Sequence, residues 1–129
     1  MPDATVFSKS ITMNLKQPLT REELTDSVKK LVLHIGQPLA YKGVILGHIK
    51  VLVKLDEEEF IFFSLTKIDC VDIKFSLEQD AMQLEVFEKL VLEINVLVFG
   101  HTKEEIESVV KHALNALTCG LFSDAAVLI

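Results

Sequence analysis

Apolar residues recur along two neighbouring stretches in the middle of the chain, and their pattern predicts a β-hairpin. Val44 to Leu55 and Phe60 to Leu65 are rich in β-branched, aromatic and aliphatic residues, which favour strands. The acidic run Asp56 to Glu59 separates the two stretches. Such a run is typical of a solvated turn, so we expect the rest of the chain to be arranged around this hairpin.

Because side chains alternate across a strand, the position of the turn determines which residues share a face of the sheet. If the turn is centred on Glu57 and Glu58, Val53 opposes Phe62. A shift of the register by one residue would exchange the two faces of one strand. The expected core face contains Ile45, Gly47, Ile49, Val51, Val53, Leu55, Phe60 and Phe62, and the opposite face contains Leu46, His48, Lys50, Leu52, Lys54, Ile61, Phe63 and Leu65.

This opposite face combines charged residues with large apolar ones. An antiparallel sheet that has one face in solvent normally shows polar residues there. Exposed apolar side chains gathered on one surface instead mark a contact with a partner or a ligand. We therefore predict a second apolar surface on the sheet that needs a cover.

The segments before the hairpin predict a strand followed by a helix. Thr5 to Lys16 alternates apolar and polar residues, as a strand with one buried face does. Thr20 and Glu23 have the spacing of a capping box, in which each side chain accepts a hydrogen bond from the backbone N–H of the other residue. Apolar residues follow at helical spacing, and Gly36 with Pro38 is expected to end the helix.

The second half of the chain predicts two more strands. Val71 to Phe75 alternates over a short stretch. Ser76 to Met82 is ambiguous, because Ser76 and Gln79 are also able to cap a helical turn. From Leu84 to Val98 the even positions are apolar except for Glu88, which predicts a long strand with a bulge near that residue.

The C-terminal region predicts a second capped helix and a last strand. Thr102 and Glu105 repeat the capping-box spacing, and Gly120 is expected to end the helix that they begin. Ala125 to Ile129 is long enough for an edge strand. The sequence leaves open whether that strand joins its own sheet or the sheet of a neighbouring subunit.

The resulting order, β-α-β-β-β-β-α-β, predicts a single α+β domain over residues 1–129. We expect a two-layer sandwich of an antiparallel or mixed sheet with both helices on one face, a ferredoxin-like variant with an inserted strand. Two helices cover only one face, so a second subunit or a ligand remains to cover the other. We favour sheet-to-sheet homodimerisation, because the apolar positions are spread over several strands and are not gathered around one polar group.

Composition and charge exclude several classes of function. The chain has 129 residues and a formal net charge of -6. A negative chain without an arginine cluster or tryptophan does not suit a nucleic-acid partner, which needs a basic patch. Its uncharged runs are shorter than the roughly 18 to 20 residues that span a bilayer, and no secretory signal opens the chain. We therefore expect no membrane partner and a cytoplasmic protein, with Cys70 and Cys119 as reduced, buried thiols.

Histidines supply the strongest candidates for chemistry. His48 follows Gly47, where the missing side chain would let a ligand or another backbone approach. His101 and Thr102 stand between a strand and a helix N-terminus, a position that attracts anions. Capping or a half-exposed surface accounts for the same residues without any ligand. The acidic run Asp56 to Glu59 lacks the glycine of a calcium loop, and we expect neither a metal nor a cofactor.

These observations favour a small homo-oligomeric binding module over an enzyme. It would bind a small-molecule ligand or a protein partner through the uncovered sheet face or a groove between subunits. The alternatives are a metal-dependent binder or enzyme using His48 or His101 at the rim of the sheet, and a structural subunit of a larger assembly. The predicted ligand or partner surface comprises His48, Lys50, Leu52, Phe63, Leu65, His101 and Thr102.

Overall fold

The structure is a computed structural model and describes residues 3–76, 86–121 and 127–128. In these ranges the chain forms six strands and two helices, and the helices follow the first and fifth strands. Of the predicted elements, Ser76 to Met82 lies outside the described residues except for Ser76. The elements are β1 (Thr5–Thr20), α1 (Arg21–Leu39), β2 (Val44–Lys54), β3 (Phe60–Lys67), β4 (Cys70–Phe75), β5 (Val86–Val98), α2 (Lys103–Leu121) and β6 (Val127–Leu128).

All neighbouring strands of the sheet are antiparallel, and their order is β4-β3-β2-β5-β1-β6. The prediction of a ferredoxin-like sandwich with one inserted strand is wrong. Both β3 and β4 lie beyond β2 at one edge, because a short turn joins β3 to β4 and makes them neighbours. The chain then returns to the other side of β2 to form β5, which gives a more elaborate order than the simple ferredoxin-like one.

The short strand β6 settles one question that the sequence left open. Val127 pairs with Thr12 and Leu128 pairs with Ile11, both in β1 of the same chain. The final strand therefore belongs to its own sheet. Ala125, Ala126 and Ile129, which complete the predicted strand, lie outside the described residues.

The capping chemistry of α1 is confirmed, but its predicted end is wrong. Thr20 Oγ1 accepts a hydrogen bond from Glu23 N at 3.2 Å, and Thr20 N donates to Glu23 Oε1 at 2.9 Å. The helix continues through Gly36 and Pro38. A Cβ atom at Gly36 would collide with the Leu65 side chain, so this glycine permits close packing of the helix on the sheet.

The β2–β3 hairpin is formed, but its predicted register is shifted by one residue. Leu55 N donates to Glu59 O at 2.9 Å, so three residues form the loop, not two. Asp56 Oδ1 stabilises this loop by accepting hydrogen bonds from the backbone N–H groups of Glu58 and Glu59, each at 2.8 Å. Val51 consequently pairs with Phe63, and Phe62 pairs with Leu52.

This shift exchanges the two faces of β3. Ile61, Phe63 and Leu65 lie against the helices and are almost completely buried, whereas Phe62 is 49% exposed. The observed register buries three large apolar side chains, while the predicted one would have buried two phenylalanines and Ser64. The faces of β2 are as predicted, with Ile45, Ile49, Val51 and Val53 in the core.

Both helices contribute their apolar stripes to a single core with the same face of the sheet. Val28, Leu31 and Ile35 of α1 and Val110 and Leu114 of α2 are buried in it. No helix in the described part of the chain is long and apolar enough to cross a membrane. The molecule is thus an α+β layer structure with one sheet face covered.

Candidate functional site: the open face of the sheet

The sheet face turned away from the helices, the open face, is built from alternate residues of five strands. Directly paired residues form rows across these strands. Two rows cross its centre. The Leu52 row contains Lys74, Phe62, Leu52, Glu93 and Ser10, and the Lys50 row contains Asp72, Ser64, Lys50, Asn95 and Ser8.

Several large apolar side chains of the open face are exposed. Phe62 is 49%, Leu46 is 47% and Val6 is 56% exposed. Leu52 and Leu97 are half-buried between them. These residues come from β1, β2, β3 and β5, so the apolar character extends across the sheet.

Polar side chains of both charge signs lie among the apolar ones. Lys54 Nζ is 3.2 Å from Glu93 Oε2, and Ser8 Oγ donates a hydrogen bond to Asn95 Oδ1 at 2.7 Å. Among the residues that the structure describes, Lys50, Asp72 and Lys74 have no ion-pair partner. The centre of the open face thus offers unpaired cationic and anionic groups side by side.

A shallow groove of about 440 Å³ lies over the two central rows. It extends from the β4 residues Asp72 and Lys74 to the β5 residues Glu93 and Asn95, and β2 and β3 form its floor. Its lining combines Leu52 and Phe62 with charged and amide groups, as binding surfaces commonly do.

His48 lies on the open face at a bulge in β2. Gly47 has φ 135°, and a Cβ atom there would collide with the carbonyl oxygen of Leu97. The backbone that approaches this glycine is therefore that of β5, not a ligand. His48 is half-buried and opposes Leu97, and its buried Nδ1 has no hydrogen-bond partner among the described residues.

His101 and Thr102 lie away from the open face, where the ends of the two helices meet. His101 Nε2 is 3.2 Å from Leu39 O at the end of α1, and its Nδ1 is 3.5 Å from Glu105 Oε2. Thr5 Oγ1 donates to His101 O at 2.7 Å. The histidine therefore connects three elements.

Thr102 completes the second predicted capping box. Its N–H donates to Glu105 Oε1 at 2.9 Å, and its Oγ1 accepts from Glu105 N at 3.1 Å. The hydrogen bonds from the Thr102 backbone and hydroxyl, followed by the contact with His101, lower the pKa of Glu105. The Glu105 carboxylate therefore occupies the N-terminus of α2, the position that the sequence suggested for an external anion.

The predicted site residues are therefore not all brought together. His48, Lys50 and Leu52 lie on the open face, whereas Phe63 and Leu65 are buried on the opposite face of β3, which α1 covers. The placement of these two residues on a contact surface was wrong because of the register shift. The predicted ligand or partner surface did not include five residues that the register shift or the strand order brings beside Lys50 and Leu52: Phe62, Asp72, Lys74, Glu93 and Asn95.

One signal in the sequence indicates the correct register. Ile61, Phe63 and Leu65 form an unbroken apolar alternation, whereas Phe60 and Phe62 are followed by Ser64 on the other face. The neighbours from β4 and β5 have no comparable signal, because the order of strands in the sheet is not encoded in local alternation.

Comparisons with known proteins identify no relative. The chain matches no protein-family model, and no curated protein or solved structure is significantly similar to it. Within residues 3–76 and 86–121, no three His, Cys, Asp or Glu side chains are grouped closely enough to hold a metal ion. The open face, with its exposed apolar residues and its groove, is the candidate functional surface.

Proposed function

We propose that this protein is a homodimeric binding module whose open face packs against the open face of a second copy. One observation carries the proposal: both helices cover the same side of the sheet, while apolar residues of several strands stay exposed on the other side. Leu46, Phe62 and Val6 are each about half exposed. Removing such a surface from water is the main driving force of protein association.

The charge pattern supports a second copy as the partner. In a two-fold dimer the same patch contacts itself, so each charged group must find an opposite charge within its own patch. The open face contains Lys50 and Lys74 near Asp72, together with the Lys54–Glu93 pair. A partner of uniform charge would leave some of these groups facing like charge.

The groove over the central rows would lie between the subunits of such a dimer. Its mixture of apolar, charged and amide groups suits a small ligand enclosed at the interface. We propose a cytoplasmic location for the dimer. Cys70, which was predicted to be buried, is instead exposed and free, and an exposed thiol suits a reducing compartment.

The rival proposal, a metal-dependent binder or enzyme that uses His48 or His101, has less support. Both ring nitrogens of His101 already contact groups of this chain. His48 lies beside the apolar Leu97 on the open face, so its unpartnered Nδ1 also suits a subunit contact.

Native mass spectrometry and sedimentation equilibrium at micromolar concentration test the proposal. We expect a dimer for the unmodified protein and a folded monomer for Leu52→Lys, because the substitution places a charge at the centre of the interface. Tyr41→Lys is the matched control: Tyr41 is 60% exposed, lies outside the open face, and its replacement should leave the dimer intact. A monomeric unmodified protein, or a Leu52→Lys variant that still dimerises, would refute the proposal.

A further inference from the structure

The groove residues on the open face are arranged in rows that are chemically complementary to themselves when reversed. Its lining comes from four adjacent strands, in the order β4, β3, β2 and β5. Along the Leu52 row these strands contribute Lys74, Phe62, Leu52 and Glu93. The outer two residues have opposite charges and the inner two are apolar, so the row is complementary to its own reversed copy.

The Lys50 row has the same property with hydrogen-bonding groups. Its four groove residues are Asp72, Ser64, Lys50 and Asn95. Reversal brings the Asp72 carboxylate opposite the Asn95 amide and the Lys50 ammonium opposite the Ser64 hydroxyl. Asn95 Oδ1 already accepts from Ser8, which leaves the amide N–H groups to donate.

Three other placements of the two-fold axis on the same face bring like charges together. An axis along β2 would place Lys50 against Lys50 of the partner subunit, and an axis along β5 would place Glu93 against Glu93 of the partner subunit. An axis across the strands through the Leu52 row would oppose Lys74 to its own copy. Like charges in direct contact disfavour an interface.

We propose that the dimer's two-fold axis runs along the strand direction between β2 and β3. Lys74 then contacts Glu93 of the partner subunit, and Leu52 packs on Phe62 of the partner subunit. With strands about 4.8 Å apart, β4 and β5 lie about 7 Å on either side of this axis, so the two ends of each row superpose on each other. This inference rests on the proposed function, because it specifies how the two open faces meet.

The geometry accounts for two features of the single subunit. Lys74 has no ion-pair partner among the described residues of its own chain. Phe62 is the more exposed of the two apolar residues at the centre of the Leu52 row. The dimer supplies a carboxylate for the first and an apolar cover for the second. Glu93 retains a second oxygen for Lys74 of the partner subunit while Oε2 remains near Lys54.

Charge reversals test this arrangement by sedimentation equilibrium. Lys74→Glu alone and Glu93→Lys alone should each weaken the dimer about tenfold or more, since each creates two symmetric like-charge contacts. An equimolar mixture of the two variants should form a heterodimer within about threefold of the original affinity, because both contacts again join opposite charges. Lys111→Glu, on the exposed side of α2, is the control and should change nothing.

A recovery of dimer affinity in the mixture cannot come from contacts within one subunit, because each chain keeps its own substitution. The Glu93→Lys chain, for example, still lacks the pair with Lys54. If the single variants dimerise normally, or the mixture does not recover, the proposed axis is wrong. A monomeric Leu52→Lys variant would in that case still support dimerisation through the open face. If Leu52→Lys also remains dimeric, the proposed function fails as well.

Discussion

Arg21 and Glu59 form a buried ion pair that joins the beginning of α1 to the β2–β3 loop. Their side chains are 9% and 2% exposed. The guanidinium also lies 5.5 Å from the ring centroid of Phe87 in β5. Arginine in the first turn of a helix is disfavoured by the helix dipole, and the Glu59 carboxylate offsets that cost. Three elements are thereby connected at one point, and Glu59 is not the solvated turn residue that the acidic run suggested.

Removing one member of this pair should destabilise the protein strongly. We expect Glu59→Gln to lower the free energy of unfolding by about 3 to 5 kcal/mol, because it leaves a buried guanidinium without its carboxylate. Glu57→Gln, in the exposed part of the same loop, should change it by less than about 0.5 kcal/mol. Urea denaturation measures both. Equal effects of the two substitutions would contradict the role assigned to Glu59.

The register of the hairpin predicts opposite effects for two adjacent phenylalanines. Phe63→Ala should cost about 3 to 5 kcal/mol of stability, since it creates a cavity under the helices. Phe62→Ala should cost much less stability but weaken the dimer, because Phe62 is exposed on the open face. Urea denaturation and sedimentation equilibrium on both variants separate the two quantities. A larger loss of stability for Phe62→Ala than for Phe63→Ala would contradict the observed register and support the one predicted from the sequence.

The bulge in β2 should not tolerate a side chain at Gly47. Gly47→Ala combines a positive φ with a collision against the Leu97 carbonyl, so we expect a loss above about 2 kcal/mol. Gly43→Ala is matched to it: φ is 79° there, but the space around a Cβ atom is open. Its cost should be about 1 kcal/mol, from the backbone conformation alone. Similar losses in urea denaturation would show that the close approach of β5 is unimportant.

The capping box of α2 should make stability depend on acidic pH. The pKa of Glu105 is lowered in the folded protein, chiefly by the hydrogen bond from the Thr102 N–H. A carboxylate whose pKa is lowered by folding stabilises the folded protein fully at pH values above its ordinary pKa of about 4.3. This contribution is lost as the pH falls through the pKa of the folded state. The difference in urea midpoint between the original protein and Glu105→Gln should therefore shrink from about pH 6 to about pH 3.

Glu104→Gln is the control for this experiment. Glu104 lies in the same exposed first turn of α2. Its replacement should give a smaller difference at pH 6, because the capping hydrogen bonds involve Glu105. A pH-independent difference for Glu105→Gln would show that the carboxylate charge does not contribute.

The sequence by itself determined the features that depend on neighbours along the chain. Both capping boxes are formed as predicted, because Thr20 with Glu23 and Thr102 with Glu105 satisfy each other's backbone groups within one helical turn. The core face of β2 was also predicted correctly, since strict alternation encodes it. The role of Gly36 was predicted wrongly, because this glycine makes room for the Leu65 side chain, which is distant in sequence, and does not end the helix.

Only the tertiary structure decided the composition of the candidate site. The side chain of Asp56 selects a three-residue loop, and this one-residue difference moves Phe63 and Leu65 into the core and Phe62 onto the open face. The neighbours of Leu52 and Lys50 come from β4 and β5, whose positions follow from the packing of the whole sheet. Local pattern determines which side of its own strand a residue occupies, whereas its neighbours in space depend on the energy of the complete core.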